Sequence, residues 1–263
     1  MRNRKIKEMS KIIWIVLFFI VSVRVFAAAE NVCLPQEPQI ISKTQDNMLL
    51  IYDIEDASIF ENQNNLYFNV IKDALLAVGI SEAQIYNNPS YPIDLAMKFY
   101  ATKKDPVFQA EAKNLTTITT KNIGVIRKVN TLESFLYTQQ IKHFPLTKET
   151  KSSEFMAYIL KKRNIQKQQM KIVLFLSNGL RFKVDTAIVK QHVQDGWQLS
   201  AHIHNHPFYI RPQEGLDIGG VIAPSVSDVQ MHRVLVASYG LENAIITNGL
   251  FSIEVAGKDF DKL

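Results

Sequence analysis

Residues 197–207 of this 263-residue chain read WQLSAHIHNHP, the pattern of a β-strand that ends at a proline. Because side chains alternate along a strand, His202, His204 and His206 lie on one face, and successive members of the row are about 6.5 to 7 Å apart at Cα. Pro207 lacks an N–H for the next ladder bond, so it fixes where the strand ends. The stretch therefore predicts a row of imidazoles on one face of a sheet.

Residues 225–228 read SVSD and predict the start of a helix. Ser225 and Asp228 have the spacing of a capping box, which by itself would stabilise the helix by about 1 kcal/mol. The same spacing puts both side chains on one face of the helix, so a capping role and a role in a site are compatible. We expect Ser227 to face elsewhere. His232, four residues after Asp228, can lie on the same face of the helix as Asp228, but we expect it to be a solvated helix residue.

These two segments together indicate a metal site. Two neighbouring imidazoles can bind one ion, and a catalytic zinc ion usually takes three protein ligands at about 2.0 to 2.2 Å with a fourth position for water. His204, His206 and Asp228 are the candidate ligands for one Zn2+. The alternative is a polar sheet face without ligands, which fits a single strand histidine better than three histidines with an acid downstream.

The other patterns of residues 122–263 predict a mixed sheet flanked by helices, which is an α/β chain of the α+β type. Asn130 and Glu133 resemble a capping box at a helix start. Asn178-Gly179 and Asn248-Gly249 each predict a two-residue hairpin. The predicted elements are strands at 123–129, 152–160, 172–177, 180–185, 197–206, 244–247 and 250–255, and helices from Asn130, over 186–195 and over 225–239.

Residues 30–121 predict a small α/β region of unassigned role. Its predicted elements are a strand over Met48–Tyr52 and a helix over Leu66–Gly79, where apolar residues recur at helical spacing. Residues 30–46 are polar and unpatterned, and we interpret them as a linker or a tethered tail. The polar stretch Asn114–Lys121 is the predicted boundary to the following domain.

Residues 1–29 have the parts of a secretory signal peptide, namely basic residues, an apolar run over Ile12–Val23 and small residues at Ala27-Ala28-Ala29. The alternative is an uncleaved membrane anchor, but a spanning helix needs about 20 apolar residues. We therefore expect export to the periplasm or outside the cell, with membrane contact only through the signal segment before cleavage.

Charge and cysteine content narrow the function further. The six basic residues and one acid of residues 1–29 account for the whole formal net charge of +5, so the mature chain is nearly neutral and nucleic-acid binding is not expected. Cys33 is the only cysteine, so no disulfide within the chain can stabilise the fold. Stability must come from the hydrophobic core.

The arrangement His204-x-His206-Pro207 followed by Ser225-x-x-Asp228 resembles the motif of the JAMM (MPN+) metalloprotease family. The resemblance spans the predicted main domain, in the order strand, helix, acid-bearing strand, hairpin, histidine strand and Ser-Asp helix. It implies an MPN/JAB-like fold with one zinc ion on the two histidines and the aspartate. It also implies that the Ser225 hydroxyl helps to stabilise an oxyanion and that an upstream glutamate is the general base.

Three glutamates are candidates for the general base. Glu154 is the choice, because it opens an apolar strand after a helix, which is where the family keeps this residue. Glu149 lies in a charged stretch typical of a solvated loop, and Glu133 is explained by its cap. The family often has a glycine soon after the glutamate, and this chain has none there.

Two further features depart from the family pattern. Residues Phe208–Pro224 separate the histidines from the serine by more than the family usually has, and this insertion is either a tolerated surface loop or a lid that contacts substrate. His202 falls outside the family's motif, and we assign it a place beside the zinc ligands rather than on the ion.

The resemblance implies hydrolysis of a peptide or isopeptide amide by a metal-activated water, with Glu154 and Ser225 as the catalytic residues. For an exported protein the expected substrates are peptides, proteins or peptidoglycan peptides. Two alternatives stay open. One is a catalytically silent MPN-like binding module, and the other is a metal-binding or trafficking protein that uses the row His202, His204 and His206.

Overall fold

A computed structural model of the chain describes residues 37–60, 81, 83, 87, 91–101, 103–144, 153–163, 167–179, 186–206, 209–211, 217–219 and 222–263. Within this part, eight strands form one mixed sheet and two short strands pair separately. Residues 34–263 form one structural unit. No helix in the described part is long and apolar enough to cross a membrane. The fold is therefore a mixed α+β arrangement around one sheet.

The large sheet has the strand order β1-β2-β5-β4-β6-β9-β10-β3. All neighbours are antiparallel except β6 and β9, which are parallel. The separate pair, β7 and β8, is antiparallel. The strands are β1 (Gln39–Lys43), β2 (Asn47–Ile54), β3 (Gly124–Lys128), β4 (Phe155–Arg163), β5 (Gln168–Ser177), β6 (Gln198–Asn205), β7 (Tyr209–Arg211), β8 (Asp217–Gly219), β9 (Asn243–Thr247) and β10 (Phe251–Ala256).

Five α-helices are described, and one of them connects the parallel pair at the centre of the sheet. Parallel neighbours need a crossover connection, and α5 provides it between β6 and β9. The helices are α1 (Tyr91–Ala101), α2 (Pro106–Lys121), α3 (Thr131–His143), α4 (Ala187–Gln194) and α5 (Val226–Tyr239). Short 3-10 helices cover Ala57–Phe60 and Gly257–Lys262.

The core lies along the central strands. Every residue from Phe155 to Leu160 in β4 and from Ile172 to Leu176 in β5 is buried, which is typical of strands covered on both faces. β6 lies next to β4, with His204 opposite Met156 and His202 opposite Tyr158. The histidine row therefore stands at the centre of the sheet and not at its edge.

Glu133 joins three elements of the fold. Its side chain accepts from the Asn130 backbone N–H at 2.9 Å, and Asn130 Oδ1 accepts from the Glu133 N–H at 2.9 Å, which completes the predicted capping box of α3. The buried carboxylate also accepts two hydrogen bonds from Arg127 of β3, at 2.6 and 3.0 Å, and one from Ser252 of β10 at 2.8 Å. Glu133 is a structural residue, consistent with its assignment to the cap.

Several predicted elements are confirmed. β2, β3, β4, α3, α4, β6 and α5 lie where the sequence placed them, within a few residues at each end. β9 and β10 form the predicted hairpin, but its turn is one residue later than predicted, because the Asn248 N–H donates to the Phe251 carbonyl at 3.1 Å and places Gly249 and Leu250 at the centre. Gly249 has a positive φ of 87°. Gly240 ends α5 in the left-handed conformation, with φ 67°.

Three predictions are corrected by the structure. The predicted linker or tail contains strand β1, which pairs with β2, so residues 39–43 belong to the sheet. The predicted boundary Asn114–Lys121 lies inside α2, and β2 of the N-terminal region pairs with β5 in the same sheet. The predicted hairpin over Asn178-Gly179 is wrong. β5 pairs with β2 on one edge and with β4 on the other, so no edge of β5 is left for the second arm of that hairpin. The other arm of that hairpin, residues 180–185, lies outside the described residues.

Some predictions concern parts of the chain that the structure does not describe. The signal peptide over residues 1–29 and the helix over Leu66–Gly79 lie outside the described residues, as does Glu149. In the insertion, the described backbone includes the short pair of strands β7 and β8.

Candidate metal centre

Strand β6 positions the histidines of the site. His202 and His204 are 0% and 6% exposed on the strand, and His206 follows its last residue. The His206 N–H donates to the Thr247 carbonyl at 2.9 Å, which continues the parallel pairing with β9 by one residue. The side chains of His204 and His206 therefore lie side by side at the end of β6, with their Nε2 atoms 3.3 Å apart.

The first turn of α5 brings Asp228 to the two histidines. Ser225 caps the helix, because its Oγ accepts from the Asp228 N–H at 3.1 Å and the Asp228 carboxylate accepts from the Ser225 N–H at 2.8 Å. The same carboxylate lies 3.3 Å from His204 Nε2 and 3.4 Å from His206 Nε2. The Asp228 side chain thus caps the helix and also approaches both histidines.

The three donor groups have the spacing of a zinc site. Ligands at about 2.0 to 2.1 Å in tetrahedral directions are about 3.3 Å from one another. His204 Nε2 and His206 Nε2 are 3.3 Å apart, Asp228 Oδ1 is 3.3 Å from His204 Nε2, and Asp228 Oδ2 is 3.4 Å from His206 Nε2. One nitrogen or carboxylate oxygen from each of these residues can therefore bind one ion, and the donor set of two imidazoles and a carboxylate suits Zn2+.

The electrostatics of Asp228 favour its ionised form. Burial raises the pKa of the carboxyl, but the charges of His204 and His206 and their hydrogen bonds outweigh burial and hold the pKa well below its usual range. A deprotonated carboxylate is the form that binds a metal ion. Asp228 is therefore prepared for that role over the whole physiological pH range.

Glu154 precedes β4 directly, and its carboxyl is close enough to His206 and Asp228 for their charges to act on its pKa. Its backbone N–H donates to the Gly179 carbonyl at 3.2 Å. Burial raises the pKa of its carboxyl to about 7, the charge of His206 opposes that rise, and the charge of Asp228 adds to it. A carboxyl group with a pKa near neutrality can both accept and release a proton.

Asn205 fixes the position of Glu154. The Phe155 N–H donates to Asn205 Oδ1 at 2.6 Å, and Asn205 Nδ2 donates to the Ser153 carbonyl at 3.2 Å. Asn205 is 1% exposed, so both bonds are made away from water. The motif residue between the two histidines thus binds the chain on each side of the glutamate. The sequence analysis gave Asn205 no role.

The hydroxyl of Ser225 is engaged by neighbours in its own turn. In addition to the bond from the Asp228 N–H, it lies 2.8 Å from the hydroxyl of Ser227. Ser227 therefore contacts Ser225, contrary to the expectation that it faces elsewhere. If Ser227 is the donor of that bond, the Ser225 proton is free to bond to a third group.

Two residues of the N-terminal region also reach the site. Glu111 of α2 is half-buried, and burial raises the pKa of its carboxyl. A hydrogen bond with Tyr100 and the charge of His206 lower this pKa, whereas the charge of Asp228 raises it. Tyr100 of α1 is buried, and burial, Glu111 and Asp228 raise the pKa of its phenol. No spacing in the sequence links these residues to the histidines, and the sequence analysis assigned no chemistry to this region.

Asn114 shows how α2 is attached to the site. Its buried side chain donates from Nδ2 to the Pro224 carbonyl at 3.1 Å, directly before the cap of α5. Glu111 lies three residues earlier on the same helix face, so its carboxyl is directed to the same end of α5. The N-terminal region is therefore part of the surroundings of the candidate metal centre.

His202 and His232 form a buried pair beneath these donors. His202 Nδ1 lies 2.9 Å from His232 Nε2, and both residues are 0% exposed. The expectation that His232 is solvated is wrong, because α5 turns this residue toward the sheet and not toward water. Burial lowers the pKa of His232 to about 3 and the pKa of His202 well below its usual value, and neighbouring histidines lower both further.

The structure thus brings together His204, His206, Asp228 and Ser225, and the charges of His206 and Asp228 act on the pKa of Glu154. Comparison of the chain with family models, with curated proteins and with solved structures finds no match in any of the three.

Proposed function

We propose that the protein is a zinc-dependent hydrolase of peptide or isopeptide amide bonds, in a domain of the JAMM/MPN type. The observation that carries this proposal is the convergence of His204, His206 and Asp228 at separations of 3.3 to 3.4 Å. Glu154 supports it, because the charges of His206 and Asp228 act on the pKa of its carboxyl. Structural zinc sites take four protein ligands, whereas three ligands with an adjacent acid are typical of catalytic sites.

The zinc ligands, Glu154 and Ser225 each have a defined part in the proposed reaction. A bound zinc ion lowers the pKa of water and polarises a carbonyl group. Glu154 takes a proton from the attacking water and passes it to the leaving amine, which its pKa near neutrality permits. Ser225 donates a hydrogen bond to the oxyanion that develops on the scissile carbonyl.

The proposed setting is outside the cytoplasm, in the periplasm or beyond the cell, because residues 1–29 have the pattern of a signal peptide. Peptides, proteins or peptidoglycan peptides are the substrate classes that such a location offers. The nearly neutral mature chain gives no reason to expect nucleic-acid substrates.

The test combines metal content with hydrolysis of a peptide library by the full chain. We expect wild-type protein to bind zinc and cleave members of the library. Glu154→Gln should keep the zinc ion at His204, His206 and Asp228 and lose turnover by about 10²-fold to 10⁴-fold, whereas Asp228→Asn should lose both turnover and the zinc ion at that site. Asp261→Asn, an exposed acid near the C-terminus, is the matched control and should change neither. Absence of zinc binding, or full turnover by Glu154→Gln, contradicts the proposal.

A metal-handling protein is the second candidate, and the buried pair of His202 and His232 is the observation in its favour. This function predicts reversible binding of several divalent metals, no turnover, and no effect of Ser225→Ala. The proposed hydrolase predicts that Ser225→Ala lowers kcat while zinc stays bound. The same protein preparations therefore distinguish the two functions.

A further inference from the structure

Three histidine rings meet in the interior below the candidate zinc ligands. We call His202, His204 and His232 the histidine trio. One nitrogen from each ring lies within 4.8 Å of the others, and all three residues are buried. The ring centroids are 5.0 Å apart for His202 and His232, 5.5 Å for His202 and His204, and 5.9 Å for His204 and His232.

The ring nitrogens of the histidine trio are not all satisfied by protein groups. A neutral imidazole has one donor nitrogen and one acceptor nitrogen. His202 Nδ1 and His232 Nε2 share one hydrogen bond, but His202 Nε2, His204 Nδ1 and His232 Nδ1 have no partner among the described residues. Buried polar groups of this kind are rarely left unpaired, and each calls for an explanation such as a bound ion or water.

We infer that the histidine trio binds a second metal ion, of the first-row transition series, and that His204 is shared between the two ions. His204 Nε2 faces His206 and Asp228, so Nδ1 is the nitrogen that remains for the second ion. The inference rests on the proposed function only in placing the first ion at His204, His206 and Asp228.

The donor set defines which ions fit. Three imidazoles suit zinc, copper, cobalt or nickel, whereas magnesium and calcium require oxygen ligands. Nitrogen ligands of one ion are about 3.3 Å apart in tetrahedral directions. The ion would take His202 Nδ1 and His232 Nε2, whose 2.9 Å hydrogen bond has to give way to a separation of about 3.3 Å. The third ligand would be His204 Nδ1, the one unpartnered nitrogen of the trio that this ion satisfies.

Charge balance at the centre is compatible with two dications. Asp228 carries one negative charge at the first ion, and the carboxyl groups of Glu154 and Glu111 interact electrostatically with Asp228 and His206. A ring that binds an ion through each nitrogen must lose both of its N–H protons, so His204 becomes an imidazolate with one negative charge. Binding of the second ion therefore releases one extra proton and weakens as the pH falls.

The experiment uses metal-free full-length protein and Co2+ or Cu2+ as probes. Equilibrium dialysis with elemental analysis gives the number of ions per chain, and we expect two for wild type. His232→Leu should bind one ion, and so should Asp228→Asn, which keeps the histidine trio. His192→Gln, which changes a partly exposed histidine on α4, is the matched control and should bind two.

Electron paramagnetic resonance of the copper-loaded protein supplies a readout that does not depend on activity or on the variants folding. Two Cu2+ ions bridged by the His204 ring couple magnetically, so the signal per copper of wild-type protein should be well below the signal of mononuclear Cu2+ once two ions per chain are bound.

One ion per wild-type chain that is kept in His232→Leu and lost in Asp228→Asn, or two ions in both wild type and His232→Leu, overturns the inference and leaves the proposed function standing. No bound ion at all overturns both. A single ion that is lost in His232→Leu but kept in Asp228→Asn contradicts the shared ligand and the proposed function together.

Discussion

Asn205 binds the backbone on both sides of Glu154, through Oδ1 to the Phe155 N–H and through Nδ2 to the Ser153 carbonyl. Its neighbours on β6 are His204 and His206, which face the candidate metal centre. A single strand residue therefore sets the distance between the candidate ligands and the candidate base.

Asn205→Ala is expected to lower kcat by on the order of tenfold to a hundredfold, because the base no longer has a fixed position. KM and zinc content should stay close to wild type, since neither histidine loses a contact. The free energy of unfolding should fall by about 1 to 3 kcal/mol, because a buried N–H and a buried carbonyl lose their partners. Steady-state kinetics, elemental analysis and urea unfolding measure these three quantities.

Asn205→Asp is the matched variant for that test. It keeps an oxygen for the Phe155 N–H but cannot donate to the Ser153 carbonyl, so part of the kcat should return. A purely structural role for Asn205 would instead lower the fraction of folded enzyme without changing kcat per bound zinc.

The pH dependence of catalysis should follow the ionisation of Glu154. Burial raises the pKa of this carboxyl to about 7 in the metal-free protein. The base is the deprotonated form, so kcat/KM should rise as the pH increases through the pKa. A bound dication lowers this pKa, so the midpoint of the rise should lie below 7. A midpoint above 7, or an unchanged acid limb in Glu154→Gln, contradicts the assignment.

Glu133→Gln should destabilise the fold and leave the candidate metal centre intact. The substitution removes the charge that pairs with Arg127 in a buried network linking β3, α3 and β10. We expect the free energy of unfolding to decrease by about 3 kcal/mol, measured by chemical denaturation. Zinc content of the folded fraction should not change. Glu154→Gln is the comparison, because there we expect the reverse, with turnover lost and stability kept.

Glu111→Gln should weaken zinc binding, because it removes a negative charge that interacts with His206 and Asp228. The expected loss of affinity is on the order of tenfold, measured by competition with a chromophoric chelator. Tyr100→Phe keeps the aromatic ring and leaves the Glu111 carboxylate in place but removes the phenolic hydroxyl, so its effect on zinc affinity should be smaller. Equal affinity in wild type and Glu111→Gln would show that α2 does not contribute to the electrostatics of the centre.

Local patterns were sufficient for most of the C-terminal half of the fold. Ser225 and Asp228 form the capping box that their spacing predicted, and the alternation of the histidines placed them on one face of β6. The side chains that converge come from one strand and the next helix, so short-range geometry already limits their separation.

The pairing of strands that are distant in the sequence could not be predicted in the same way. The Asn178-Gly179 turn favoured a local hairpin, but β5 pairs with β2 and β4, whose positions in the sequence carry no hint of that pairing. The burial of His232 and the approach of Glu111 depend on how helices pack on the sheet, and a single sequence gives no measure of that packing.

The cap formed by Ser225 and the backbone bond between His206 and Thr247 anchor both ends of the insertion over Phe208–Pro224. The segment between these anchors can lengthen at little entropic cost without altering the separation of the donor atoms. Changes in the length of this insertion can therefore accumulate while His206 and Asp228, which flank it, keep their places in the candidate metal centre.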